Sequence, residues 1–355
     1  MKIAIVLGTR PEIIKMAPII RECQKRQLDH FVLHTGQHYS YSMDKIFFED
    51  LELGEADHYL EVGSGTHGVQ TGKILEGTER VFMEEQPDVV LVQGDTNTVM
   101  AAALAATKLG IKVGHVEAGL RSFDRTMPEE INRVIADHIS DYLFAPTEAS
   151  GKYLSDEGIT DSVFVTGNTI VDAVFQARDI AERKSNILNK LGLNPGEFIL
   201  ATAHRAENVD NAARLSSMIN GIRMTGESLG LEVLFPMHPR TSARIDEFKI
   251  SLDGVRVIDP VGFLDFLQLE SNARIILSDS GGVQEEACIL GVPCVTLRDN
   301  TERPETIEVG ANMLAGIESG KIYHAANMML DRKDWDNPFG DGTASQQIID
   351  IIMDQ

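Results

Sequence analysis

Asp279-Ser280-Gly281-Gly282-Val283-Gln284-Glu285-Glu286 stands directly behind the apolar run Ala273-Arg274-Ile275-Ile276-Leu277. An apolar run of strand length, two glycines and then helix-forming residues up to Gly291 predict a strand, a tight turn and a helix. Such a turn is a seat for an anion. Free backbone N–H groups at a helix start carry the positive end of the dipole, and Gly281 and Gly282 let a phosphate approach the main chain closely. Glu285 and Glu286 fall in the first helical turn, where a carboxylate pointing outward would take both hydroxyls of a ribose. The octapeptide fits a nucleotide diphosphate clamp, and it fits equally an ordinary αβ connection with acids that favour the dipole.

Outward from this stretch, apolar strand candidates alternate with helical patterns along the whole chain. Residues 2–7, 31–34, 88–92, 112–116, 142–144 and 162–165 form one series, and 198–202, 232–235, 255–258, 274–277 and 293–297 a second. Runs this apolar suit strands buried on both faces of parallel sheets joined by right-handed crossovers. The predicted class is therefore α/β, with two Rossmann-like, doubly wound domains. The seam is placed near Gly167-Asn168, giving domains 1–168 and 169–342, because a long helical stretch over 169–191 then leads to the polar break Gly192-Leu193-Asn194-Pro195-Gly196. A last helix follows the turn cluster ending at Gly342, with Ile348, Ile349 and Ile352 apolar.

The 355 residues are 43% hydrophobic and 24% charged, the balance of a globular protein with two cores. No apolar run reaches membrane-spanning length, and Met1-Lys2-Ile3-Ala4-Ile5-Val6 enters a strand at once instead of passing through a signal peptide, so a cytoplasmic protein without a membrane partner is expected. Cys23, Cys288 and Cys294 form no spaced pairs, and neither a disulfide nor a metal site is expected. The formal charge of -22 argues against nucleic acid, which needs a basic stripe. An anionic substrate would meet the same repulsion, so its site must gather its own cations at loop ends.

In open parallel sheets ligands sit beyond the carboxyl ends of strands. The first strand delivers Gly8-Thr9-Arg10-Pro11-Glu12-Ile13-Ile14-Lys15, with Pro11 suited to a first helical position, Arg10 at the mouth of the sheet and Lys15 one turn on. Later strand ends carry acids: Asp95 in Gln93-Gly94-Asp95-Thr96-Asn97 and Glu117 in Glu117-Ala118-Gly119-Leu120-Arg121. Met127-Pro128-Glu129-Glu130-Ile131-Asn132-Arg133 opens a helix with Glu129 in its first turn and Arg133 four residues later on the same face. Each carboxylate alone would serve as a cap; three at such positions beside arginines point to proton chemistry. Gly63-Ser64-Gly65-Thr66-His67-Gly68 matches the dinucleotide pattern, but it does not follow the first strand, and Asp88 would begin the next strand where a ribose ligand should end one. A glycine-rich loop is the better reading, and no cofactor is predicted. The second domain adds His204-Arg205 after its first strand, Met237-His238-Pro239-Arg240 after its second, and Arg303 in Thr301-Glu302-Arg303-Pro304-Glu305-Thr306 after its last.

These stretches, together with Thr35-Gly36-Gln37-His38 and His115-Val116-Glu117-Ala118-Gly119-Leu120-Arg121, resemble the non-hydrolysing UDP-N-acetylglucosamine 2-epimerases, in the family's order and over nearly the whole chain. The resemblance implies a GT-B arrangement, with two Rossmann-like domains facing across a cleft that binds a UDP-sugar, a final helix 343–355 returning to the first domain, and a homodimer. It places the diphosphate on Ser280, Gly281 and Gly282 and the ribose on Glu286. Arg10, Arg133 and Arg303 match positions that bind substrate, and Asp95, Glu117, Glu129, Lys15 and His204 positions that serve catalysis. The implied reaction inverts C2 of the sugar: UDP leaves C1 as the C2 proton is abstracted, giving 2-acetamidoglucal, and adds back after reprotonation from the other face. A related epimerase acting on UDP-2,3-diacetamido-2,3-dideoxy-glucuronic acid shares most of these motifs, and a GT-B glycosyltransferase shares the fold. His238-Pro239-Arg240-Thr241 and the stretch around His67-Gly68-Val69-Gln70 depart from the pattern with which bacterial members bind a second, activating UDP-N-acetylglucosamine, so the resemblance does not carry that activation over.

Overall fold

Ile3, Ala4, Ile5, Val6 and Leu7 are all 0% exposed, so the first strand can only be the centre of a sheet covered on both faces. The structure, a computed structural model, describes residues 1–37 and 41–354; His38 of the Thr35-Gly36-Gln37-His38 motif lies outside them. Among the described residues the first sheet consists of β1 (Lys2–Leu7), β2 (Asp29–His34), β3 (His58–Tyr59), β4 (Val89–Gln93), β5 (Lys112–Val116), β6 (Tyr142–Ala145) and β7 (Val163–Val165). Its order is β3-β2-β1-β4-β5-β6-β7, with every pair parallel. Phe31, Leu33, Val90 and Val92 of this sheet pack against Phe82, Ala102, Ala103 and Ala106 of covering helices.

The second sheet contains β8 (Phe198–Thr202), β9 (Glu232–Pro236), β10 (Arg256–Ile258), β11 (Ile275–Ser278), β12 (Cys294–Thr296) and β13 (Asn312–Leu314). Its order is β10-β9-β8-β11-β12-β13, again parallel throughout. The chain divides into two compact units, Met1–Gln176 with Phe339–Gln355, and Ala177–Pro338. The division falls inside the helix Thr169–Lys184.

Every strand read from the sequence is present. The edge strands β3 and β13 escape that reading, because two or three residues carry no periodic signal and only the neighbouring strand holds them extended. The helical stretch read as 169–191 is two helices, Thr169–Lys184 and Ile187–Leu191. The helix Ala344–Met353 lies on the helix Arg10–Lys25 within the first unit, burying Ile348, Ile349 and Ile352. Asp172 anchors its start by accepting from Ser345 N at 2.9 Å and from Ser345 Oγ at 2.6 Å.

Candidate active site

A crevice for ligands opens where the strand order of an open parallel sheet reverses. In the first unit that place lies between β1 and β4. Gly8 makes the turn after β1, where a side chain would collide with the hydroxyls of Thr35 and Thr98. The following helix begins at Arg10, one residue before Pro11, and Glu12 clamps its start. The Glu12 carboxyl accepts from Gly8 N and Thr9 N at 2.7 Å each and from Thr96 Oγ1 at 2.6 Å, tying the turn after β1 to the turn after β4. Burial pushes Glu12 up to about 7 in spite of those donors. The Arg10 guanidinium lies 5.2 Å from the centre of the Phe47 ring.

Glu117 and Asp95 occupy the ends of the next two strands. Glu117 holds a left-handed backbone, φ 68°, and its carboxylate binds Lys15 Nζ at 2.6 and 2.8 Å, with further donors in Gln93 Nε2 and, at 3.2 Å, Asn168 Nδ2. Asp95 pairs with Arg133. Burial raises the Asp95 carboxyl; Arg133 and Lys15 pull it down while Glu117 pushes it up, so the two carboxylates and two cations share one field. Glu129 lies in the first turn of the helix Pro128–Ile139 with Arg133 four residues later, as read from the sequence, but the two do not pair. Arg133 turns to Asp95 and to Glu130 Oε2 at 3.2 Å, because Glu130 is buried beneath it, whereas Glu129 is exposed and makes no ion pair among the described residues. Asn132 donates to the Asp95 carbonyl at 2.9 Å and fixes the loop from behind.

In the second unit the reversal lies between β8 and β11, whose ends carry His204 and the Asp279–Glu286 stretch. Asp279 is fully buried and stitches the two turns together. It accepts from His204 N at 3.1 Å, Arg205 N at 3.0 Å and Asn208 Nδ2 at 3.1 Å, and its Oδ1 lies 3.2 Å from His204 Nδ1. Burial alone would raise Asp279, but these donors hold it below the usual carboxylate range. The helix Gly281–Leu290 follows with Ser280 as its cap. A Cβ at Gly281 would come no nearer than 3.7 Å to any neighbour and one at Gly282 no nearer than 4.0 Å, and neither residue has a left-handed φ. Nothing in the chain requires glycine at either position, so the open backbone there is space for a group from outside. Glu285 turns inward, and its Oε1 meets Arg303 Nε at 2.7 Å; Glu286 is half-buried beside Glu270.

Gln93, Asn168, Glu12 and Asp279 complete these sites without any role assigned to them by the sequence, since an amide or a capping acid gains meaning only from what the fold sets beside it. A Ser or Thr hydroxyl at one turn facing an acid at another, as in Thr96 and Glu12, is the sort of signal a single sequence does not carry. The glycine pattern at Gly63–Gly68 spans the loop after β3 and the first residues of the helix His67–Glu85, and Gly63 N donates to the Gly36 carbonyl at 2.8 Å. Among the described residues no group of three His, Cys, Asp or Glu side chains is arranged to hold a metal ion.

A family model described as UDP-N-acetylglucosamine 2-epimerase matches residues 21–353. The chain belongs to this epimerase family. It is 56% identical over 362 residues to the UDP-N-acetylglucosamine 2-epimerase of Methanocaldococcus jannaschii, covering 99% of each chain. The crystal structure of M. jannaschii UDP-GlcNAc 2-epimerase in complex with UDP-GlcNAc and UDP matches it with a TM-score of 0.83 at 55% identity, covering 100% of both. The UDP-2,3-diacetamido-2,3-dideoxy-D-glucuronate 2-epimerase of Pseudomonas aeruginosa is 40% identical over 358 residues, covering 99% of each. In this member of the 2-epimerase family the charged side chains Lys15, Asp95 and Glu117 follow β1, β4 and β5, and the open glycine turn follows β11.

Proposed function

We propose that this chain interconverts UDP-N-acetylglucosamine and UDP-N-acetylmannosamine by inverting C2. The observation that carries the reading is the ion cluster Lys15–Glu117 and Asp95–Arg133 at the strand reversal of the first unit, which a binding protein or a transferase does not need. The first unit supplies Asp95, Glu117 and Glu129 as acids and bases, with Lys15 on Glu117 and Arg10 and Arg133 as substrate cations. The second unit supplies Ser280, Gly281 and Gly282 for the diphosphate, Glu286 for the ribose, Arg303 for charge, and His204 beside the leaving phosphate. When a carboxylate takes the C2 proton, the C–H electron pair becomes the C1–C2 double bond and the C1–O bond breaks with its pair on UDP. Return of UDP oxygen to C1 and of a proton to the opposite face of C2 completes inversion. On the family resemblance, the enzyme works as a cytoplasmic homodimer and feeds polysaccharide assembly. The greater identity to the M. jannaschii enzyme favours UDP-GlcNAc over the diacetamido-uronate, which has a relative at 40%.

In heavy water the product is expected to carry deuterium at C2, and an isotopic label in the oxygen bridging C1 and phosphorus is expected to scramble into non-bridging positions of recovered substrate. Asp95→Asn, Glu117→Gln and Glu129→Gln keep shape and remove proton transfer. At least two should lose about 10² to 10⁴ in kcat while still binding UDP. Full activity in all three, or deuterium incorporation without scrambling, would overturn this reading. Turnover of the diacetamido-uronate alone would keep the reaction and replace the substrate.

A further inference from the structure

His115 lies in β5, two residues before Glu117, and is fully buried. Its Nε2 is 2.8 Å from the carbonyl of Gly94, the residue before Asp95, and its Nδ1 is 2.7 Å from Asp137 Oδ1. A carbonyl can only accept. Asp137, 1% exposed, already accepts from Arg121 Nη1 at 2.6 Å and from Gly119 N at 3.2 Å, so it is a carboxylate and also accepts. Both imidazole nitrogens therefore face acceptors, and only a ring bearing a proton on each satisfies them. A neutral ring would leave a buried nitrogen lone pair against an oxygen.

The contacts of this ring fall on backbone that carries the acids. His115 holds Gly94 on one side of Asp95, and Gly94 N in turn donates to Val116 O at 3.1 Å. Asp137 holds Gly119 N on the far side of Glu117, in a turn where Glu117 and Gly119 both have left-handed φ and a side chain on Gly119 would collide with the Ser150 carbonyl. Arg121 closes the network through Glu157 at 2.7 Å from two of its nitrogens, so two cations face two anions. We infer that His115 is a permanently protonated, buried imidazolium that positions Asp95 and Glu117 for the reaction, locking the two loops to each other through Gly94 and Asp137. Its charge also stands behind the acids: Asp137 and Glu117 favour the cation, outweighing burial.

The inference rests on the proposed roles of Asp95 and Glu117, but its first test is independent of activity. In protein labelled with ¹⁵N-histidine, the His115 ring should show two protonated nitrogens at pH 7.5 and keep both at pH 9. A single N–H at pH 7.5 would overturn the imidazolium. His115→Gln keeps a donor for Gly94 and loses the charge and the Asp137 contact. With UDP binding unchanged, because the diphosphate seat belongs to the second unit, kcat should fall about 10²-fold with KM moving far less, the cost of displacing positioned groups. Wild-type kcat in that variant would overturn the positioning role, and if the variant does not fold, the ring spectrum of the unaltered protein still decides. Absence of epimerisation in the unaltered protein alongside a doubly protonated ring would instead refute the proposed function.

Discussion

Glu270 and Glu286 set two carboxyl groups against each other inside the second unit. Glu270 is 1% exposed, and among the described residues neither of its oxygens has a hydrogen-bond donor. A buried carboxylate without donors takes up a proton, so Glu270 is pushed well above its ordinary value by burial and by Glu286. Burial, with the nearby Glu285 charge, raises Glu286 to about 7 although Glu270 assists its ionised form. Ribose hydroxyls donate to the ionised carboxylate, so binding favours the deprotonated group. Affinity for the UDP-sugar, whose diester phosphates do not titrate in this range, is expected to be full above about pH 7 and to weaken by up to about tenfold per unit below it. Calorimetry between pH 6 and 8 measures this, and Glu286→Gln should flatten the dependence. Persistence of the slope in that variant would move the titration elsewhere. Which of the adjacent acids, 285 or 286, meets Arg303 and which meets Glu270 is invisible in the pair itself; Arg303 captures Glu285.

At the scale of elements, the last helix shows how an apolar stripe acquires meaning. Ile348, Ile349 and Ile352 are spaced to share one face, and the structure buries all three, with Arg26 reaching Asp350 at 2.5 Å along the edge. Ile349→Ala should cost about 2–5 kcal/mol, the usual range for an aliphatic residue emptied from a packed core. Removal of everything after Gly342 should lower Tm further, since it uncovers the helix Arg10–Lys25 and strips the partners from Asp172. An unchanged melting temperature in the truncated chain would show that the helix contributes no packing. Because Arg10 sits at the other end of the uncovered helix, turnover should fall as well. The spacing of the isoleucines predicts an amphipathic helix, but its partner is set by contacts more than three hundred positions apart in sequence, for which Arg26 and Asp350 are the visible pair.

For the molecule as a whole, a formal charge of -22 means that folding gathers like charges that the unfolded chain keeps further apart. Added salt shortens the range of that repulsion to about 8 Å at physiological ionic strength. Relief of about 1 kcal/mol would raise Tm by about 2–4 °C in units of this size. Thermal melts in about 20 and about 300 mM NaCl, which span weak and strong screening, should therefore show Tm rising with salt. A fall would mean that surface ion pairs outweigh the net repulsion. The sequence by itself determined the two parallel α/β domains, because strands such as Ile3–Leu7 must be apolar on both faces whatever surrounds them. It also determined the residues at the strand ends and, through their motifs, the family. Only the tertiary structure decided that Lys15 belongs to Glu117, that Arg133 turns to Asp95 and not to Glu129, and that His115 joins Gly94 to Asp137. Burial pattern is a local property written into each strand, whereas the partner of a charged side chain depends on the order in which the strands lie side by side.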